Sequence, residues 1–290
     1  MKPSHQPPHR WHLPFSVTRL AAAVLVLWIT AAGVTSLQAK APVKIFLLIG
    51  QSNMQGHGEV SPDYVRGTLG YLVSHRPGPY RYVGTGAPWL VRDDVWIHYE
   101  RSTSNLLTGN LTVGYGASDT TIGPELGFGW VVGDHYGSQV LLIKTAWGGK
   151  SLGNDFRPPS SGPYPKPSSP GDTGFYYNEV IRLVRDATSK LATYFPDYEG
   201  QGYEYLGIGW HQGWNDRVNQ GFVDEYDDNM ANYIRDMRQE LEVPDLPFVI
   251  ATTGMTGWTE SNTRALALMN AQLAVAQHRE FRGNVFTVDT

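Results

Sequence analysis

The chain has 290 residues, 41% hydrophobic, 12% aromatic and 17% charged, a composition that can bury a real core and excludes a disordered tail. Its 23 Lys plus Arg against 27 Asp plus Glu give a formal net charge of −4, so no basic field awaits a phosphate backbone and nucleic acid is set aside as a partner. With no cysteine, disulfides, thiolate nucleophiles, cysteine-ligated zinc and iron–sulfur clusters are all excluded, while the compartment is left open.

In chain order, residues 1–19 are polar and basic, and residues 20–34 (LAAAVLVLWITAAGV) are an unbroken small and apolar run. With Ala39-Lys40-Ala41 as a small-x-small cleavage pattern, residues 1–41 read as a signal peptide and residues 42–290 as one extracytoplasmic domain, secreted or periplasmic, with no stable membrane association after cleavage. The alternative is an uncleaved anchor, because through Leu37 the apolar stretch approaches the roughly 20 residues that span a bilayer.

Residues 43–49 (VKIFLLI) are almost continuously apolar, as suits a parallel strand covered on both faces. Residues 138–144, 205–210, 247–252 and 284–288 repeat that signal, which predicts a sheet of about five parallel strands. Helical stretches separate them over residues 124–135, 177–194, 223–241 and 261–281, the last with Leu266, Met269, Leu273 and Ala276 on one face. This alternation implies right-handed βαβ units in one α/β domain. Residues 56–117 break the rhythm as an excursion of loops with a β-hairpin element around residues 95–99. Residues 152–174, dense in Pro, Gly and Ser, read as a long surface loop rather than a linker. Glu225, Asp227 and Asp228 open a helix, where the helix dipole accounts for them.

Gly50-Gln51-Ser52-Asn53-Met54 follows the first strand, which puts a serine at the carboxyl edge of a parallel sheet, where open α/β folds bind ligands. Ala146-Trp147-Gly148-Gly149-Lys150 and Trp210-His211-Gln212-Gly213-Trp214-Asn215-Asp216 lie just past two further strands. A glycine pair lets the backbone approach a substrate and donate N–H, and a Gln carboxamide is a neutral donor for an oxyanion.

These motifs, with Gly123-Pro124-Glu125 before a helix, resemble in their order the sialate O-acetylesterase and acetylxylan-esterase branch (carbohydrate esterase family 6) of the SGNH hydrolases. The resemblance covers about residues 43–290. It implies a flavodoxin-like three-layer α/β/α fold, no metal or organic cofactor, and acyl-transfer removal of O-acetyl groups from carbohydrates. By the same resemblance Ser52 is the nucleophile. The oxyanion donors are then the Ser52 N–H, Gly149 (with Gly148 as the alternative) and Gln212. Gln51, Asn53, Gly148, His211, Trp214 and Asp216 are candidates for the pocket lining.

Two departures stand out. Family members commonly carry Glu after the Gln-Gly pair, where this chain has Trp214, so a carboxylate role there is lost or moved to Asp216. The family's base is a His in an Asp-x-x-His element after the last strand, and the sequence stops at Asp289-Thr290. The expectation is a C-terminally truncated form of a longer protein whose tail carries that His. His57, five residues past Ser52, and His211, beside Gln212, are substitute candidates that do not occupy the family's position. Two rival readings remain: a non-catalytic carbohydrate-binding protein whose sugar-stacking aromatics would include Trp89, Trp147, Trp214 and Trp258, and a broader SGNH lipase or esterase.

Overall fold

The structure is a computed structural model that describes residues 40–164 and 173–290. All but the last two residues of the 1–41 signal-peptide expectation lie outside the described residues.

Strand β1 (Val43–Gly50) is buried along nearly its whole length and feeds two cores by alternation. Val43, Ile45, Leu47 and Ile49 enter one, Phe46 and Leu48 the other. The chain then runs through a one-turn helix α1 (Ser52–Gln55), β2 (Gly58–Glu59), α2 (Leu69–His75) and α3 (Pro77–Tyr80). It continues through β3 (Arg92–Ser102), β4 (Asn105–Leu111), β5 (Thr121–Ile122), α4 (Pro124–His135) and β6 (Val140–Ala146). The second half comprises α5 (Phe175–Ser189), α6 (Leu191–Tyr194), β7 (Tyr203–His211), α7 (Gln220–Asp224), α8 (Tyr226–Glu240), β8 (Phe248–Ala251), α9 (Thr263–Val275) and β9 (Val285–Val288).

The main sheet has the order β4-β3-β6-β1-β7-β8-β9, with only β4 antiparallel. Its β6-β1-β7-β8-β9 part is the doubly wound order in which the first strand lies second, so the chain leaves β1 in opposite directions on its two sides. Helices α5, α7, α8 and α9 cover one face, and α1, α2 and α4 cover the other, giving three layers. The sheet therefore has seven strands where the apolar runs predict about five. The two added strands come from the aromatic excursion: residues 95–99 pair in parallel with β6, and β4 closes the edge as a hairpin. β3 carries charges at both ends around a buried centre, which hides it from a search for apolar runs.

Two further expectations are corrected. The buried line of α9 is Ala265, Leu268, Met269, Gln272 and Val275; of the face expected through Leu266, Met269, Leu273 and Ala276 it keeps Met269, and its other positions lie a step away. Gln272 takes a core position because its amide is fully engaged there, with Thr253 N–H donating to Oε1 and Nε2 donating to the Gln212 carbonyl. The 152–174 loop is not a surface loop at its start, for Leu152, Phe156 and Arg157 are buried. The Arg157 guanidinium donates to the carbonyls of Gly153, Ser161 and Gly162, satisfying backbone groups that burial would otherwise leave unpaired. In the acidic cluster, Glu225 pairs with Arg157 and Asp227 with His278. Among the described residues no helix is long and apolar enough to cross a membrane.

Candidate active site

The switch point of the sheet lies at β1, where doubly wound folds place their binding crevice, and three loops meet beyond the carboxyl ends of β6, β1 and β7. Backbone bonds pin the end of β1 on both sides: Trp147 N–H donates to the Gly50 carbonyl at 3.1 Å, and Gln51 N–H donates to the His211 carbonyl at 3.3 Å. Ser52, half-buried, is the first residue of α1. The Gln51 carboxamide, 2% exposed, ties this turn to the loop after β7. Its oxygen accepts from the N–H groups of Gly213 (3.2 Å) and Asn215 (3.1 Å), while its nitrogen donates to Ser52 Oγ at 3.3 Å.

On the β6 side, Gly148 and Gly149 are exposed. Gly149 has φ +70° with open space around it, a left-handed turn that favours glycine. A Cβ at Gly148 would lie 4.0 Å from Ser52 Cβ, so this turn borders the serine. The site thus brings together Gln51, Ser52, Asn53, Gly148, Gly149 and the 211–216 loop, as the order of motifs along the strand ends predicts.

Gln212 is fully buried. Its amide nitrogen donates to the Lys150 carbonyl at 2.9 Å and to Asp216 Oδ2 at 2.5 Å, so in this geometry neither amide proton is free for an oxyanion. Asp216, also fully buried, accepts the N–H groups of Leu152 (3.0 Å) and Gly153 (2.8 Å) as well. Burial without a cationic partner pushes its carboxyl up to about 7, against the opposing pull of those donors. Gln212 and Asp216 therefore splice the loop after β7 to the loop after β6. Beneath them, Tyr226 OH and Gln272 Nε2 both donate to the Gln212 carbonyl at 2.8 Å. Neither residue sits in a motif, so neither is visible without the fold.

His211 is half-buried, and its Nε2 is 3.4 Å from Asn53 Nδ2. Burial lowers its pKa below the ordinary histidine value, with the hydrogen-bonded Thr252 backbone working the other way. His57 is exposed. Among the described residues Ser52 Oγ has one hydrogen-bond partner, the Gln51 amide, and no imidazole on it. The aromatics divide: Trp147 packs on Phe156 and Tyr176, and Trp89 packs against the second core. Trp214 lies under the Arg217 guanidinium at 3.9 Å, and Trp258, 46% exposed, donates to Asp289. Among the described residues no three His, Asp or Glu side chains converge as metal ligands.

Comparison with known proteins agrees with this architecture. The chain is similar in fold to a protein from Arabidopsis thaliana solved by X-ray crystallography, at 19% identity over 86% of this chain and 85% of that one, with a TM-score of 0.53. It is equally similar to NanS, at 15% identity over 86% of this chain and 78% of that one, with a TM-score of 0.53. No curated protein matches the chain in sequence. Residues 42–290 match the family described as carbohydrate esterase, sialic acid-specific acetylesterase, and the chain belongs to that family.

Proposed function

We propose that this chain is a secreted serine esterase that removes O-acetyl groups from carbohydrates by acyl transfer through Ser52. The observation that carries the reading is the meeting of Ser52 with the exposed Gly148–Gly149 turn at the switch point of the sheet, with the serine's own turn fixed by Gln51.

Ser52 Oγ attacks the acetyl carbonyl carbon and its proton passes to a histidine base. The N–H groups of Ser52 and Gly149 receive the developing oxyanion, a placement in which charge is stabilised by donors already in position. The C–O bond to the sugar breaks, the sugar oxygen takes the proton, and water then releases acetate from the acyl-serine. Gln212 and Asp216 act from behind the turn: their bonds to Lys150, Leu152 and Gly153 hold the glycine pair at its distance from Ser52. The base is the one role for which the described residues place no partner on Ser52 Oγ.

The test is acetate release from an O-acetylated sialic acid and from acetylated xylan, compared with an octanoyl ester. Acetate release from either carbohydrate, lost in Ser52→Ala, is the expected result. Preference for the octanoyl ester would give the chain to the broader lipase group, and sugar binding with no ester cleavage would make it a binder.

A further inference from the structure

The Gly123-Pro124-Glu125 motif has no part in the chemistry above, and one strand over from Ser52 a lysine is fully buried. Lys144 sits inside β6, in register with Leu48 of β1. It lies in the alternating file of Val140, Leu142 and Ala146, all of which belong to an apolar core. A lysine there must be matched on every proton or it destabilises the fold. It is matched: Nζ donates to Glu125 Oε2 (2.6 Å), to the Tyr115 carbonyl (2.7 Å) and to the Gln55 carbonyl (2.8 Å), and stands 4.6 Å from the centre of the Tyr99 ring. Glu125 is equally buried, and its other oxygen accepts Gly123 N–H at 2.8 Å.

Gln55 ends the four-residue helix that Ser52 begins. The carbonyl gripped by Lys144 is therefore one turn from the serine. Around it, Ala117 N–H donates to the Gly56 carbonyl at 2.8 Å, and Gly56 packs so tightly on Gly123 that a Cβ at Gly56 would lie 2.1 Å from Gly123 Cα. We propose that the buried Glu125–Lys144 pair is the positioning device of this esterase, fixing the far end of the Ser52 helix and with it the nucleophile's place in the crevice. The inference rests on the reading of Ser52 as nucleophile. Burial pushes Glu125 up and Lys144 down in pKa, and their mutual attraction opposes both shifts, so each needs the other to remain charged. The two ammonium protons that Glu125 does not take go to the Gln55 and Tyr115 carbonyls, so matching the buried charge also ties the α1 end and the 112–119 loop to β6.

The experiment compares the full chain with Lys144→Met and Glu125→Gln, reading kcat and KM for acetyl-ester hydrolysis and amide hydrogen exchange at Gln55 and Gly56. In the native chain those two amides donate to Gln51 and Ser52. The expected result for K144M is a loss of kcat of at least about tenfold with KM within about twofold, since misplacing a reacting group by an ångström costs rate more than binding. Exchange at Gln55 and Gly56 should accelerate by a similar factor while α8 amides stay at their native rates. E125Q, which keeps the lysine donors, should move the same readouts in the same direction by less, and it carries the test if K144M does not fold. Folded variants with native kcat and native exchange at Gln55 and Gly56 overturn the proposal. A native chain that neither releases acetate nor reacts at Ser52 removes the esterase reading instead, and the exchange rates still decide whether the pair holds α1.

Discussion

The two flanks of the crevice are braced by different chemistry. On the β6–α4 side the brace is a complete ion pair, Lys144 with Glu125, in which every ammonium proton has an acceptor. On the β7 side it is a single carboxylate, Asp216, held by three N–H donors and no cation. Both are fully buried; the ion pair ends on the last residue of the Ser52 helix, and the carboxylate on Leu152 and Gly153, just past the Gly148–Gly149 turn. The difference teaches how each flank handles burial: on one side burial and mutual attraction pull the pKa values of Glu125 and Lys144 in opposite directions, whereas the lone Asp216 carboxyl, with no cation beside it, is pushed up to about 7.

The largest effect that can sharpen this contrast is loss of the group both flanks serve. Ser52→Ala should reduce acetate release by at least about 10³-fold while leaving the unfolding midpoint unchanged, because removing a nucleophile costs catalysis and not packing. Substantial activity in that variant would mean that the braced residue is not the reacting one. Next in size, Asp216→Ala should destabilise the fold by about 3 kcal/mol in chemical denaturation, since it strands the Leu152 and Gly153 N–H groups and the Gln212 amide in a dry interior. A loss under about 0.5 kcal/mol, the level of ordinary surface changes, would break the claim that this flank depends on it.

Gln212→Leu separates brace from donor. As a brace, Gln212 should cost about 1–2 kcal/mol of stability and less than about tenfold in kcat. The removal of an oxyanion donor costs about 10²–10³-fold in kcat, and a fall of that size would restore Gln212 to the oxyanion hole.

The remaining effect is a pH slope. A carboxyl whose folded pKa stands near 7 against 3.8 unfolded binds more protons in the native state between those values. Its contribution to stability is then fully present below about 4 and is lost as pH rises towards about 7, with a slope of up to about 1.4 kcal/mol per pH unit. Unfolding of the wild type, followed from pH 5 to pH 8, should show that decline and then a plateau, and Asp216→Asn should lose the slope. Identical slopes in the two proteins would mean the carboxyl titrates elsewhere.

Much of this arrangement is legible in the sequence. The covered strands β1, β6, β7, β8 and β9 announce themselves as apolar runs, and helix starts such as Pro124 at the head of α4 carry their own chemistry. The convergence of Ser52, the glycine pair and the 211–216 loop follows from parallel strands alone, because all of these segments follow carboxyl ends. What stayed hidden depends on partners distant in sequence. The 152–174 segment has the composition of a surface loop, yet at its start the Leu152 and Gly153 N–H groups are satisfied by Asp216, 64 and 63 residues away. Lys144 reads as the polar end of a strand when it lies inside one, and only its three acceptors explain why the charge is tolerated. Gln212 carries the right residue type for an oxyanion donor, and the sequence cannot show that Lys150 and Asp216 already hold its protons.

The most direct test of Ser52 as the braced nucleophile is covalent labelling of the full chain with a fluorophosphonate, followed by peptide mass mapping beside Ser52→Ala. A single adduct on Ser52, absent from the folded variant, is the result this account predicts. No adduct, or an adduct on another residue, would contradict it.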